Sequence, residues 1–144
     1  MFPFEISTEQ YFTLVYGVLD TSTGDFRYTL AGHPGPILLS NAGKAKILPG
    51  RGYPIGLADG PKPYNEWCVR LGPGDRVYLY SDGIPEAVSP DGYPFGNERL
   101  IEKIESGRAE PLCAVVNELV AEVESWSGAS GVRDDVSVLA VEVR

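Results

Sequence analysis

The hydrophobic pattern changes period once along the chain. As far as Ala87 the apolar residues form short runs or alternate with polar ones, as strands require, and beyond it they recur at the three-four spacing of a helical face. Tyr11 to Leu19 (YFTLVYGVL) is aromatic, β-branched and uncharged, which predicts a strand covered on both faces. Thr21 to Asp25 is turn chemistry, and Phe26, Tyr28 and Leu30 then alternate with Arg27 and Thr29 as the second arm of a hairpin. Ala31 to Pro36 breaks regular structure before Ile37-Leu38-Leu39 resumes a strand. Asn41-Ala42-Gly43 turns the chain into a returning arm, Lys44 to Leu48. Pro49 to Pro63 reads as a loop in which only Tyr53 to Leu57 is apolar enough to pack inward. Trp67 to Leu71 and Arg76 to Tyr80 are strands on either side of the turn Gly72-Pro73-Gly74-Asp75.

Past the loop Ser89 to Gly96, Asn97 is placed to cap a short helix burying Leu100, Ile101 and Ile104. A longer helix follows, with Leu112, Val115, Val116, Leu119, Val120, Val123 and Trp126 on one face, Pro111 in its first turn and Gly128 at its stop. That stripe reads as core-facing scaffold in preference to a partner-binding face. Val136 to Val143 closes the pattern as a last strand. Seven strands joined mostly by hairpins, with two helices after them, predict an α+β fold with antiparallel sheets and the helices on one sheet face.

Composition narrows the class. The 144 residues suit one domain, and their formal charge of -8 argues against binding nucleic acid through its phosphates. No apolar run has the length of a membrane span, and the opening MFPFEISTEQ lacks the basic and apolar regions of a signal peptide, so the expected setting is cytoplasmic. Cys68 and Cys113 form no CxxC pattern and are expected as buried small hydrophobes.

Two places carry candidate chemistry. Ser81-Asp82-Gly83 delivers a carboxylate where a strand stops, and Arg133-Asp134-Asp135 holds two more just before the last strand. Strand-end carboxylates of this kind suit a hard divalent cation, Mg²⁺ or Mn²⁺, which takes one or two of them and completes its shell with water. The plainer readings are a turn-forming Asp-Gly for Asp82 and a solvated loop pair for Asp134 and Asp135. His33, in AGHPGP, is a candidate general acid or ligand, although a loop histidine of this sort more commonly bonds to backbone. Glu86 reads as a rim carboxylate, and Trp67 and Trp126 as packing residues.

Taken together, FTLVYGVLDTSTGDFRYTLAGHPGPILL, YPIGL, LGPGDRVYLYSDGIPEA, FGNERL and DDVSVLAVEV stand in the order and spacing of one family. From Tyr11 to Arg144 the chain resembles the C-terminal two-thirds of the SpoIIE-type, RsbU-like metal-dependent serine/threonine protein phosphatases, relatives of phosphatase 2C. The resemblance implies an antiparallel β-sandwich with helices outside (α-β-β-α) and a two-metal Mn²⁺ or Mg²⁺ centre at one end. It implies hydrolysis of phosphoserine or phosphothreonine by a metal-activated water. On the matching positions, Asp82 and Asp134 correspond to metal-ligating aspartates and Asp135 to a neighbour of the ligands. The family's opening Asp segment, its Asp-Val-Ser-Gly-His-Gly-like motif and the helix pair after them have no counterpart here. Residues 11–144 are therefore expected to form a partial phosphatase domain, with 1–10 a leader into the first strand. The implied substrate is a phosphorylated partner protein, by family an anti-sigma-factor antagonist in bacterial partner switching. The alternative is a non-catalytic binding module that keeps the sandwich without a complete metal set. A sheet face left bare by the missing helix pair implies a homo-oligomer or membership of a longer protein.

Overall fold

The computed structural model describes residues 10–57 and 62–144. The expected leader, apart from Gln10, and the middle of the expected Pro49 to Pro63 loop lie outside the described residues. Seven strands and two α-helices follow one another as β1 (Leu14–Leu19), β2 (Asp25–Ala31), β3 (Ile37–Leu39), β4 (Ala45–Ile47), β5 (Trp67–Arg70), β6 (Arg76–Tyr80), α1 (Gly96–Ser106), α2 (Leu112–Ser127) and β7 (Val138–Glu142). They form a three-stranded sheet in the order β1-β2-β5 and a four-stranded sheet in the order β4-β3-β6-β7, with every pairing antiparallel. The fold is α+β, as the pattern predicts.

β1-β2 and β3-β4 are hairpins, but β5 and β6 are not. The Gly72-Pro73-Gly74-Asp75 turn carries the chain out of one sheet and into the other, so that β5 pairs with β2 and β6 with β3 and β7. The Asp75 carboxylate fixes this corner by accepting hydrogen bonds from the Gly72 N–H (2.8 Å) and the Asn41 N–H (2.7 Å). Gly74 has φ +84°, a conformation that L side chains rarely adopt, and the Asn41 side chain occupies the space where a Cβ would stand.

Two apolar layers result, because β6 buries both faces. Val77 and Leu79 look toward the other sheet and join Phe26, Tyr28, Leu30, Leu38 and Leu71 between the sheets. Tyr78 and Tyr80 look the other way and pack with Ile37, Ile84, Phe95, Leu100, Ile104, Val115, Leu119 and Val123 beneath the helices. Burying each such side chain is worth about 1.5–3 kcal/mol, which makes these layers the main stabilising term. Both helices lie over the four-stranded sheet, α1 against β3 and β4 and α2 against β7.

Four expectations are corrected. β1 is covered on one face only. Val15 and Leu19 point between the sheets, whereas Leu14, Tyr16 and Val18 point outward and are exposed, Tyr16 by 61%, because among the described residues no helix lies on that side. Asn97 does not cap α1; the helix starts at Gly96, two residues earlier than a cap at Asn97 would place it, and Phe95 holds the capping position without a side-chain cap bond. Cys68 and Cys113 are exposed. Cys68 pairs with exposed Arg27 on the outer face of β5, and Cys113 stands in the first turn of α2 on the side away from the buried stripe. The last strand is shorter than Val136 to Val143, because residues before Val138 are committed to a loop contact described below.

One buried cation ties the helical layer to the sheet. The Arg76 guanidinium donates from Nε to Glu142 Oε2 (2.6 Å), from Nη1 to the Gly107 carbonyl (3.2 Å) and from Nη2 to the Glu110 carbonyl (2.7 Å). It thus joins β6, β7 and the α1–α2 connection through one side chain that is 9% exposed. Arg76→Ala leaves the Glu142 carboxylate and two carbonyls without that donor, and should cost about 3 kcal/mol in urea denaturation. Arg76→Lys should recover only part of it, because an ammonium cannot reproduce the guanidinium fork.

Candidate metal centre

β6 and β7 are neighbours in the sheet, so the turn that leaves β6 and the loop that enters β7 meet at the same rim. Three contacts hold them together. The Ser81 hydroxyl donates to the Asp135 carbonyl (3.0 Å) and accepts from the Ser137 N–H (2.9 Å), while the Ser81 N–H donates to the Ser137 carbonyl (2.9 Å). Gly83 then passes so close to the other loop that a Cβ on it would stand 2.2 Å from the Asp135 carbonyl oxygen. Here the glycine is needed for space and not for a special dihedral angle, since its φ is not positive.

This contact brings the carboxylates together. One ligand oxygen from each of Asp82, Glu86 and Asp134 lies within 4.8 Å of the other two. Asp82 and Glu86 share a single turn closed by the Glu86 N–H bonding to the Asp82 carbonyl (3.0 Å), and Asp134 arrives from the facing loop. The Asp134 Oδ1 also accepts from the Asp135 N–H (2.8 Å), which restrains its carboxylate. All three residues are exposed, and among the described residues no Lys or Arg forms an ion pair with them. Each like-charge pair at this distance costs about 1 kcal/mol in water, an amount the loop hydrogen bonds offset.

The donor set fits a hard divalent cation. Its atoms are carboxylate oxygens with no cation partner, and neighbouring ligands around a six-coordinate Mg²⁺ stand about 3 Å apart and opposed ones about 4.2 Å, separations that small side-chain rotations here would reach. Asp135 is absent from the cluster. His33 is not in the cluster either. It lies along a cleft shared with Tyr80, Ser81 and Ser137, and its Nδ1 stands 3.0 Å from the Pro34 carbonyl. A carbonyl only accepts, so in that bond Nδ1 is the donor. Glu86 is the residue that sequence reasoning set aside as a rim carboxylate. The signal was its spacing, four residues after Asp82 with Gly83 and Pro85 between, which is one tight turn.

A two-sheet antiparallel sandwich with acidic turns gathered at one strand rim is the architecture that the resemblance to the metal-dependent phosphatases implies. The family model for Stage II sporulation protein E (SpoIIE) matches residues 4–144, and the chain belongs to that family. Protein IcfG of Synechocystis is 30% identical over 132 residues, covering 90% of this chain and 20% of IcfG. The RsbU and RsbW domains of Rv1364c from Mycobacterium tuberculosis match with a TM-score of 0.66 at 26% identity, over 92% of this chain and 36% of that one. The phosphatase domain of SpoIIE from Bacillus subtilis, presoaked with Mn, shares the fold with a TM-score of 0.72 at 15% identity, over 91% of this chain and 56% of that one. The chain therefore spans between a fifth and somewhat over half of these relatives.

The close passage of Gly83 gives a direct test of how the cluster is built. Gly83→Ala should force the two loops apart and separate Asp82 from Asp134, weakening Mn²⁺ binding at least tenfold and, because the clash is with backbone, lowering the unfolding midpoint as well. Calorimetric Mn²⁺ titration beside thermal denaturation would separate the two effects.

Proposed function

We propose that this chain forms part of a metal-dependent serine/threonine phosphatase domain whose substrate is a phosphorylated partner protein. The observation that carries this reading is the meeting of Asp82, Glu86 and Asp134 at one rim. Asp82 and Asp134 are assigned as metal ligands, Glu86 as a third ligand or as acceptor for a metal-bound water, and Asp135 as the neighbour whose N–H orients Asp134. A bound Mn²⁺ or Mg²⁺ would supply Lewis acidity toward a phosphoryl oxygen and acidify a water for attack. The chain's own part is to gather the anionic donors, to hold them on two hydrogen-bonded loops, and to leave them open to a substrate too large for an enclosed pocket. Because all three are exposed, a phosphorylated side chain presented on a protein surface can reach them.

Among phosphoproteins, a small antagonist of an anti-sigma factor is the substrate we favour, because an RsbU domain is among the relatives of this chain. A cytoplasmic setting accompanies that substrate, and no helix among the described residues is long and apolar enough to cross a membrane. A second reading is a binding module without turnover. It is favoured by the number of donors, since three carboxylates gathered at one rim suffice for one ion but leave a second ion few ligands.

Mn²⁺ titration of the purified chain, paired with a phosphopeptide and aryl-phosphate assay, tests both readings. The expected result is weak Mn²⁺ binding that Asp82→Asn or Asp134→Asn removes and Glu86→Gln reduces by at least the roughly tenfold that an outer-shell partner contributes. Turnover by this chain alone should stay near background at millimolar Mn²⁺. Binding that survives Asp82→Asn and Asp134→Asn would overturn the assignment. Vigorous turnover lost in Asp82→Ala would overturn the view that the donor set is incomplete.

A further inference from the structure

Glu86 is fixed from the side of the helices as well as from the strand rim. After its turn the chain folds into a short hairpin, in which the Phe95 N–H donates to the Ala87 carbonyl (2.7 Å) and the Ser89 N–H to the Tyr93 carbonyl (2.8 Å). The next amide, the Gly96 N–H, donates to the Pro85 carbonyl (2.8 Å). The carbonyls on either side of Glu86 are thus held by two consecutive amides, while its own N–H is bonded to the Asp82 carbonyl. Consecutive N–H groups alternate in direction along an extended chain and converge only where the backbone between them turns, as it does at Phe95 (φ -57°, ψ -50°). Gly96 follows with φ +83°, and a Cβ on it would meet nothing within 4 Å, so this glycine is required for its conformation and not for space. The amide pair is itself anchored. Phe95 is fully buried, and its ring meets that of Trp126 in the last turn of α2 edge-on, 6.0 Å between centroids. The Trp126 Nε1–H donates to the Tyr93 carbonyl (3.0 Å). Arg99 of α1 lays its guanidinium 4.2 Å from the centre of the Trp126 ring and donates from Nη1 to the Phe95 carbonyl (3.0 Å). Ile84 and Ala87 are buried in the same layer, which leaves Glu86 exposed on a turn pinned before and after it.

We propose that this bracket, Gly96 and Phe95 backed by Trp126 and Arg99, is a positioning element for the metal rim: it aims the Glu86 carboxylate at the place where Asp82 and Asp134 meet and so sets the affinity for the cation. The proposal rests on the reading of Glu86 as a donor to a bound ion or to its water. The Ser81 clasp fixes Asp134 relative to Asp82, and the bracket does the same for Glu86 from the helical side. The division is physical. Asp82 and Asp134 sit on the two loops that the clasp joins, whereas Glu86 stands one turn further along, where the chain is already bonded to the start of α1 and the end of α2. Coupling of this kind is reciprocal. If the bracket raises the affinity for an ion, an ion that draws the three carboxylates together must tighten the bracket by the same factor.

Calorimetric Mn²⁺ titration of single and paired variants tests this. Gly96→Ala should weaken Mn²⁺ binding about tenfold, the loss typical of a partner that orients a ligand. Gly96→Asn should regain most of that loss, because Asn tolerates positive φ. Trp126→Phe keeps a ring against Phe95 but removes the Nε1 donor, and should weaken binding about threefold, the worth of one neutral hydrogen bond. In a Glu86→Gln background neither Gly96→Ala nor Trp126→Phe should weaken binding further, a non-additivity that a general loss of stability would not produce. Hydrogen exchange on the unmodified chain supplies a readout that needs no variant: the amides of Phe95 and Gly96 should slow on addition of Mn²⁺ by more than those of β2 in the other sheet. Additive losses in the Glu86→Gln background overturn the proposal, as do bracket amides indifferent to Mn²⁺. Glu86→Gln that leaves Mn²⁺ affinity intact while Asp82→Asn removes it overturns instead the reading of Glu86 on which the proposal stands.

Discussion

The clasp between Ser81 and the loop at Asp135 is the constraint on which the rest of the site depends. β6 and β7 are adjacent strands, but adjacency alone would leave their end loops free to diverge. A hydroxyl that both donates and accepts, set between two backbone segments, removes that freedom at once. Gly83 makes the approach sterically possible. The like charges of Asp82, Glu86 and Asp134 would otherwise push these loops apart, by about 1 kcal/mol per pair in water, so the clasp stores a modest electrostatic cost that a divalent cation would relieve. This is a general way to build a cation site on a sheet: backbone contacts hold the loops, and the carboxylates are carried along.

Membership of the SpoIIE family and the likeness to solved phosphatase domains supply the chemical frame, and the carboxylate cluster supplies its local content. The two sheets have distinct parts in it. The four-stranded sheet carries the acidic turns and is covered by α1 and α2, while the three-stranded sheet closes the inter-sheet core and presents an aliphatic and aromatic outer face at Leu14, Tyr16 and Val18. The Gly72 to Asp75 corner is one of the connections that cross from one sheet to the other, as are those from β2 to β3 and from β4 to β5.

Much of this was legible along the chain, for physical reasons that differ by element. The seven strands announced themselves through alternation and turn chemistry, and α2 through a stripe in which Val115, Leu119 and Val123 are indeed buried. The pairing of β5 was not legible, because a Gly-Pro-Gly-Asp turn looks alike whether it closes a hairpin or changes sheets. Nor was the exposure of β1. An apolar run reads as doubly covered, but coverage depends on what packs above it, which no local pattern records. At the site, Asp82 and Asp134 stood out through turn and strand-end positions, whereas Glu86 needed the geometry of the turn to bring it beside them. The clasp itself left no trace in the pattern, since a serine at a strand end is common.

Because β6 has both faces covered and β1 only one, the molecule is unevenly protected against opening. The inter-sheet layer can lose β1 while β6 keeps Tyr78 and Tyr80 beneath the helices and Arg76 locked to β7 and the α1–α2 connection. Local opening is drawn from the least buried elements first. The acidic loops therefore belong to the most cooperative unit of the fold, and excursions of the outer sheet would leave the carboxylates in register, so that ion binding and the breathing of that sheet are energetically separate events.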